Sequence, residues 1–188
     1  KEETWQLEPL LIEAFEHLLS DDSLDPAMVA LMCALPSEAY LAGLSTPIEV
    51  DLLHAARESL ADKLATVFEA QWQAAFERCA DDGAYTYTAQ AVAKRSLKNT
   101  ALAYLMRANP SVALALCERQ FAEADNMTDQ AAALTIMVHS EHEDIVAAKA
   151  NALTAFYERW QTEALVVNLW LSIQASNAQE GALLRIKA

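Results

Sequence analysis

The spacing of apolar residues restricts this chain most, because they recur three and four positions apart through almost its whole length. Leu7, Leu10, Leu11, Ala14, Phe15 and Leu18 mark one such face, and Ile48, Leu52, Leu60, Leu64, Phe68, Trp72 and Phe76 mark a second. An α-helix brings positions at that spacing to one side, so both stretches are expected to be amphipathic helices. The second stripe is expected to run unbroken to about Arg78, roughly 50 Å at 1.5 Å per residue. Only three Gly and five Pro interrupt 188 residues, 54% of which are apolar. That composition suits a packed helical protein and argues against disorder. A chain of this size buries roughly 70% of its unfolded surface, enough to hold a core without staples.

Punctuation divides the rest. Asp25 before Pro26 reads as an N-cap with proline in the first helical turn, and Pro36 as the stop. "STPIEV" reads as a capping box, with Thr46 as cap, Pro47 at N1 and Glu49 at N3. "ADDG" closes the long helix at Gly83. Further helices are expected near 88–108, 111–124, 128–138, 141–161, 164–176 and 178–188. "ANP", "DNM" and "HS" are the breaks between them. No strand is expected, since "AYTYT" (84–88) alternates over too few residues. Short helices on short loops pack antiparallel, and their pairing gives a loose period of about 36 residues. The expected fold is all-α, with antiparallel helix pairs stacked as a superhelical array of the HEAT or armadillo kind.

Charge and cysteine content narrow the partners. The chain carries 27 acidic and 13 basic residues, a net charge of −14, which disfavours nucleic acid and anionic lipid. A basic peptide or an amine remains compatible with it. Cys33, Cys79 and Cys117 are odd in number and widely spaced, giving neither a disulfide framework nor a CxxC knuckle. They read as buried small hydrophobes, in keeping with a cytoplasmic setting. The longest apolar run, "LVVNLWLSIQA", is too short to span a membrane.

"MVHSEHEDIV" (137–146) invites a metal reading, with two histidines and three carboxylates close together. A zincin helix needs His at i and i+4, but the fifth residue from His142 is Val146. His139 and Glu143 have the spacing but supply only two ligands. The plainer expectation is a capping box. Ser140 would accept from the Glu143 N–H, Glu143 would reach back, and Glu141 and Asp144 would sit in the first turn. Ser140→Ala is then expected to cost about 1 kcal/mol. Asp51-x-x-His54 resembles half of a carboxylate-bridged di-iron site, but one imperfect copy reads as a solvated face. Lys94, Arg95 and Lys98 form a basic cluster that could dock a carboxylate or pair with acidic neighbours. Arg95 and Asn99 share a face from which they could reach loop carbonyls of a neighbouring repeat. Asn126 is expected to cap the next helix, with Asp129 at N3. Trp5, Trp72, Trp160 and Trp170 read as core. No nucleotide loop or nucleophile elbow is present.

Three stretches carry more than composition: "AKRSLKNTALAYL" (93–105), "CERQFAEADNMTDQAAAL" (117–134) and "ERWQTEALVVNLWLSIQA" (158–175). In this order they resemble the C-terminal helical domain of the bacterial aminopeptidase N family, zinc-dependent alanyl aminopeptidases. "LDPAMVALMCALPSE" (24–38) is similar to the same domain nearer its start. The resemblance implies a catalytic domain with an HExxH zinc motif, a further Glu ligand and a GAMEN loop, all N-terminal to Lys1 in a parent chain. It also implies that the helical domain continues past Ala188. The same resemblance implies that the basic residues reaching the substrate channel belong to that later part.

No catalytic, metal or cofactor-binding residue is therefore assigned among residues 1–188, and zinc is expected only in the parent. The implied role is to close over the active site and form a chamber for peptides. Residues 1–188 are expected to be the N-terminal portion of that one helical domain. Its partners would be the catalytic domain of the same chain and peptide substrates, not nucleic acid or membrane. The alternative is a free-standing acidic helical-repeat scaffold that binds peptides or proteins. The final stretch, with Leu183, Leu184 and Ile186, is expected to drive weak self-association that grows with salt.

Overall fold

The computed structural model describes residues 6–80 and 83–177, and among these it is all helix and connection, with no strand. Trp5, Leu183, Leu184 and Ile186 lie outside the described residues, as does the final expected helix. The chain divides into two compact units, Lys1–Asn109 and Pro110–Ala188.

The first unit contains α1 (Pro9–Ser20), α2 (Pro26–Met32), α3 (Glu38–Ala42), α4 (Val50–Val67), α5 (Glu69–Cys79) and α6 (Ala89–Ala108). Helix α6 is its axis and packs on α5, α2 and α4. Its centre is aromatic. Trp72, fully buried, lies flat against Tyr104 at 4.1 Å between ring centroids and 2° between planes. Phe15 meets Trp72 edge-on and stacks on Phe68, which brings α1 onto α5. Tyr104 donates its hydroxyl to the Cys33 carbonyl at 2.8 Å, so the same ring pins the end of α2. Burial, then the nearby Cys33, pushes that phenol up to about 12. Arg78 fastens α5 to the end of α1, donating to the Leu19 carbonyl at 3.0 Å and pairing with Asp22 at 2.9 Å.

The long helix expected over 48–78 is two helices, broken at Phe68 (φ −109°, ψ 23°). The Leu64 carbonyl explains the break. It accepts from the Phe68 amide at 3.3 Å and from the Trp72 indole at 3.2 Å. A side chain that bonds into the helical ladder bends it, and the bend lets Phe68 and Trp72 both bury. Sequence periodicity cannot register that contact.

Local signals succeed where they are self-contained. Asp25 caps α2 through one carboxylate oxygen, which accepts from the Ala27 and Met28 amides at 3.0 Å each. Helix α2 ends at Met32, ahead of Pro36. Ser37 caps α3, a short helix the sequence did not suggest, accepting from the Tyr40 amide at 3.2 Å. The capping box at Thr46 does not form. Helix α4 starts at Val50 with Glu49 at the cap position and no side-chain cap, and the Thr46–Pro47 bond is cis. "AYTYT" is irregular connection, as expected.

The second unit contains α7 (Pro110–Glu123), α8 (Met127–His139), α9 (Val146–Trp160) and α10 (Ala164–Ala175), each packed on the next. Asn126 caps α8 as expected, accepting from the Asp129 amide at 2.9 Å while its side-chain nitrogen donates to the Asp129 carboxylate at 3.2 Å. Gln130, buried, links three helices. It donates to the Phe121 carbonyl at 3.2 Å and accepts from the Trp160 indole at 3.1 Å. The Trp170 indole donates to the Leu153 carbonyl at 3.0 Å, and its ring packs on Tyr157. Asn177, also buried, donates to the Val138 carbonyl at 2.9 Å. The tryptophans described are core or half-buried, each with its N–H satisfied.

The Ser140 capping box is also absent. Ser140 sits at the C-terminal end of α8, residues 143–145 form a single 3-10 turn, and α9 begins at Val146 with no side-chain cap. The Ser140 hydroxyl accepts from the His142 amide at a long 3.4 Å, not from Glu143. A tertiary bond holds the segment instead, with Lys149 donating to the Ser140 carbonyl at 2.9 Å.

These contacts rank three substitutions. Trp72→Ala is expected to destabilise the chain by about 3–5 kcal/mol, the usual cost of emptying an aromatic core position. Asn126→Ala is expected to cost about 1 kcal/mol for the lost cap. Ser140→Ala is expected to stay within about 0.5 kcal/mol, as surface changes do. Urea denaturation followed by circular dichroism measures all three, and a Ser140 effect as large as that of Asn126 would contradict this account of the 140–145 turn.

Candidate functional site

Within the first unit, titratable side chains gather where α4 packs on α3 and α6. Helix α4 presents His54, Glu58 and Asp62 at intervals of four residues, so all three leave one face. From α3, Glu38 places a carboxylate oxygen 2.7 Å from His54 Nδ1. From α6, Arg107 bonds the Glu58 carboxylate at 2.6 Å and Asp62 at 2.7 Å. Arg57 donates to Glu58 at 2.8 Å and to the Pro36 carbonyl at 2.9 Å. The cluster thus ties the loop after α2, then α3, to α4, and α4 to α6.

Electrostatics follow the geometry. Glu58 is half-buried; burial pushes its carboxyl up, but the Arg107 hydrogen bond and the charges of Arg107, Arg57 and His54 outweigh that and hold it below the usual range. His54 is raised, first by its hydrogen bond to Glu38 and then by the Glu38 charge. Beside the cluster is a small open cavity of about 120 Å³, lined by Leu35, Arg57, Ala61, Ala103, Tyr104 and Arg107. Both arginines in its wall are already engaged by carboxylates or a carbonyl, so it offers no uncommitted cation to a ligand.

The sequence singled out His54 but not its partners. The four-residue spacing of His54, Glu58 and Asp62 was there to be read, whereas Arg107 lies 49 residues from Glu58 and only the fold joins them. Asp51, read with His54 as part of a solvated face, is exposed and outside the cluster.

The remaining expected sites separate. His139 is the last residue of α8, and its Nε2 lies 3.1 Å from the Ile173 carbonyl and 3.2 Å from the Ser176 hydroxyl. His142 faces Asp144 in its own loop, 3.5 Å away. The two histidines serve different contacts and do not converge on Glu143. Arg95 gives two bonds of 3.2 Å to the Thr86 carbonyl and stacks on Tyr85, so it secures the connection before its own helix and not a neighbouring repeat. Cys33, Cys79 and Cys117 are buried, and burial pushes Cys33 to about 11 and Cys117 to about 12, so their thiols stay protonated.

Among the described residues, Glu38, His54 and Glu58 form the one group whose donor atoms, within 4.8 Å of one another, have metal-ligand proximity. They do not fit a resident zinc. A cation there would have to displace two guanidinium groups from Glu58 and break the Glu38–His54 bond, at a surface where His54 is about half exposed. A structural zinc takes four committed ligands, and this set supplies three that are committed elsewhere. The cluster is a set of ties between helices.

An all-α chain of short packed helices, tied at their crossings by side-chain bonds, has the character of an armadillo-type repeat domain. The chain belongs to the family described as domain of unknown function DUF3458_C, ARM repeats, whose model matches residues 1–188. It is 28% identical over 179 residues to aminopeptidase N of Escherichia coli (strain K12), covering 91% of this chain and 19% of that protein. It is 32% identical over 177 residues to aminopeptidase N of Caulobacter vibrioides, covering 94% and 20%. Among solved structures, Legionella pneumophila aminopeptidase A in complex with aspartic acid superposes with a TM-score of 0.82 at 26% identity, over 97% of this chain and 22% of that one. The chain thus spans about a fifth of the length of the relatives it matches. The resemblance to aminopeptidase N stands, and so does the all-α repeat fold. Among the described residues, no helix is long and apolar enough to cross a membrane.

The His54–Glu38 contact gives a pH dependence whose sign is fixed. A histidine raised in the folded state contributes stability that is fully present below its unfolded value, near 6.5, and is lost as pH rises through the folded value. His54 is therefore expected to titrate above 6.5, and Glu38→Gln to lower its midpoint. Carbon-detected NMR of the imidazole reads both, and a midpoint unmoved by Glu38→Gln would show that the contact does not form.

Proposed function

We propose that this chain is a non-catalytic helical domain of a zinc-dependent aminopeptidase that releases N-terminal amino acids from peptides, and that in the parent it covers the active site and limits access. One observation carries the reading: the match to aminopeptidase N extends over 91% and 94% of this chain. The ties described above support it, because a wall around a reaction chamber needs stiffness. Gln130 clamps three helices of one unit, and Arg107 binds α6 to α4 in the other.

In this reading zinc would be held by the catalytic portion of the parent and would supply Lewis acidity toward the scissile carbonyl and the attacking water. This chain's own part is to exclude bulk protein and shape the approach. Its net charge of −14 would favour the cationic α-ammonium of an incoming peptide over anionic ones. Three buried, protonated thiols suit a cytoplasmic enzyme.

Two measurements test this. The longer polypeptide is expected to hydrolyse alanyl anilides with zinc bound, while the isolated 1–188 chain neither hydrolyses them nor retains zinc after dialysis. Zinc kept by the isolated chain at one equivalent, and lost in His54→Ala, would sink the non-catalytic reading. A longer polypeptide without zinc-dependent aminopeptidase activity would favour an acidic repeat scaffold instead.

A further inference from the structure

We propose that the outward apolar face of α2, α3 and the start of α4 is the surface on which the rest of the aminopeptidase polypeptide seats, through an apolar patch of its own rimmed by Lys and Arg. This rests on the proposed function and adds to it the location and chemistry of the contact.

Helix α2 is apolar on both sides. Val29, Ala30 and Cys33 face inward and are buried, whereas Met28, Leu31 and Met32 are 54%, 69% and 57% exposed. A helix apolar all round is one that is covered on all sides, and among the described residues nothing covers this outer side. The pattern continues along the chain. Helix α3 has no buried residue and shows Tyr40, and the segment after it shows Leu44, Ile48, Val50 and Leu52. Of the eighteen large apolar residues exposed among the described residues, eight fall between Met28 and Leu52. Single exposed apolar residues need no explanation, but such a concentration marks an interaction surface.

Charge and length choose the occupant. Between Met28 and Leu52 the charged residues are Glu38, Glu49 and Asp51, with no Lys or Arg. Glu38 is bonded to His54, and the Arg57 guanidinium that reaches the Pro36 carbonyl is also bonded to Glu58, which leaves Glu49 and Asp51 as the open charges of the face. Pairing the face with its copy would set carboxylates against carboxylates in a chain already at −14, which opposes a homodimer here and favours a cation-rimmed partner. The relatives supply one in kind, since about four-fifths of their length lies outside the match.

Methionine oxidation reads this directly, because thioethers react according to their exposure. In the isolated chain, Met28 and Met32 are expected to oxidise readily under dilute peroxide at any protein concentration, while Met106 and Met137, buried, are spared. In the longer polypeptide, Met28 and Met32 are expected to slow about tenfold or more, as covered thioethers do. Leu31→Glu is expected to leave the melting temperature of the isolated chain unchanged, and in the longer polypeptide to restore oxidation of both methionines. Equal oxidation of Met28 and Met32 in the two proteins overturns the proposal, as does protection in the isolated chain that grows with concentration, which would assign the face to a second copy. Alanyl-anilide hydrolysis is measured on the same longer polypeptide. Activity with unprotected methionines refutes this surface alone, whereas absence of activity refutes the function it rests on.

Discussion

The stack of Trp72 on Tyr104 is the contact on which the first unit depends. Two consecutive helices, α5 and α6, meet through these rings at 4.1 Å. Each ring has a polar end, and each end makes a second demand. The indole N–H takes the Leu64 carbonyl, which bends the chain at Phe68; the phenol takes the Cys33 carbonyl, which fixes the end of α2. A buried aromatic with a hydrogen-bonding tip orients its neighbours as well as burying area. The placement of α2, α4 and α6 follows from one pair of side chains.

The charged cluster acts on the same helices from the solvent side. Glu58 and Arg107 are worth little as an isolated exposed pair, but Glu58 takes two guanidinium groups and Arg107 takes two carboxylates. Such a network constrains the approach of α6 to α4 more than it adds to overall stability. That constraint also explains why the cluster makes a poor ligand site: every charge that could recruit a ligand is spent on a neighbour.

Legibility divided along the range of the interactions. Asp25 and Asn126 were readable because an N-cap closes within three residues and answers only to its own helix. Thr46 and Ser140 matched the same rule and failed, because the surrounding chain imposed other ends on their helices. At Ser140 the deciding bonds are Lys149 to its carbonyl and His139 to the end of α10, which no local pattern contains. The break at Phe68 was invisible for a related reason, since its cause reaches from Trp72 back to Leu64, two turns away. His54 stood out as a residue type, but its meaning lay in Glu38 on another helix. The class of fold needed none of this, because helical periodicity with three glycines in 188 residues leaves little else to build.

The distribution of apolar surface carries the synthesis to its last step. Unit cores here are satisfied: buried side-chain polar atoms among the described residues have partners, and the aromatic rings are stacked or capped. A chain so complete inside has no internal need for the leucines and methionines on the outer side of α2. Their exposure costs solubility and does nothing for the fold shown. Repeat domains bury each unit on what lies beside it, so an outward apolar helix records a neighbour. The carboxylates left open on it, Glu49 and Asp51, specify the sign that neighbour must carry. Under the proposed function, which gives this domain no catalytic group of its own, its work resides in such faces, and the outer side of α2 is the one that points most plainly to another surface.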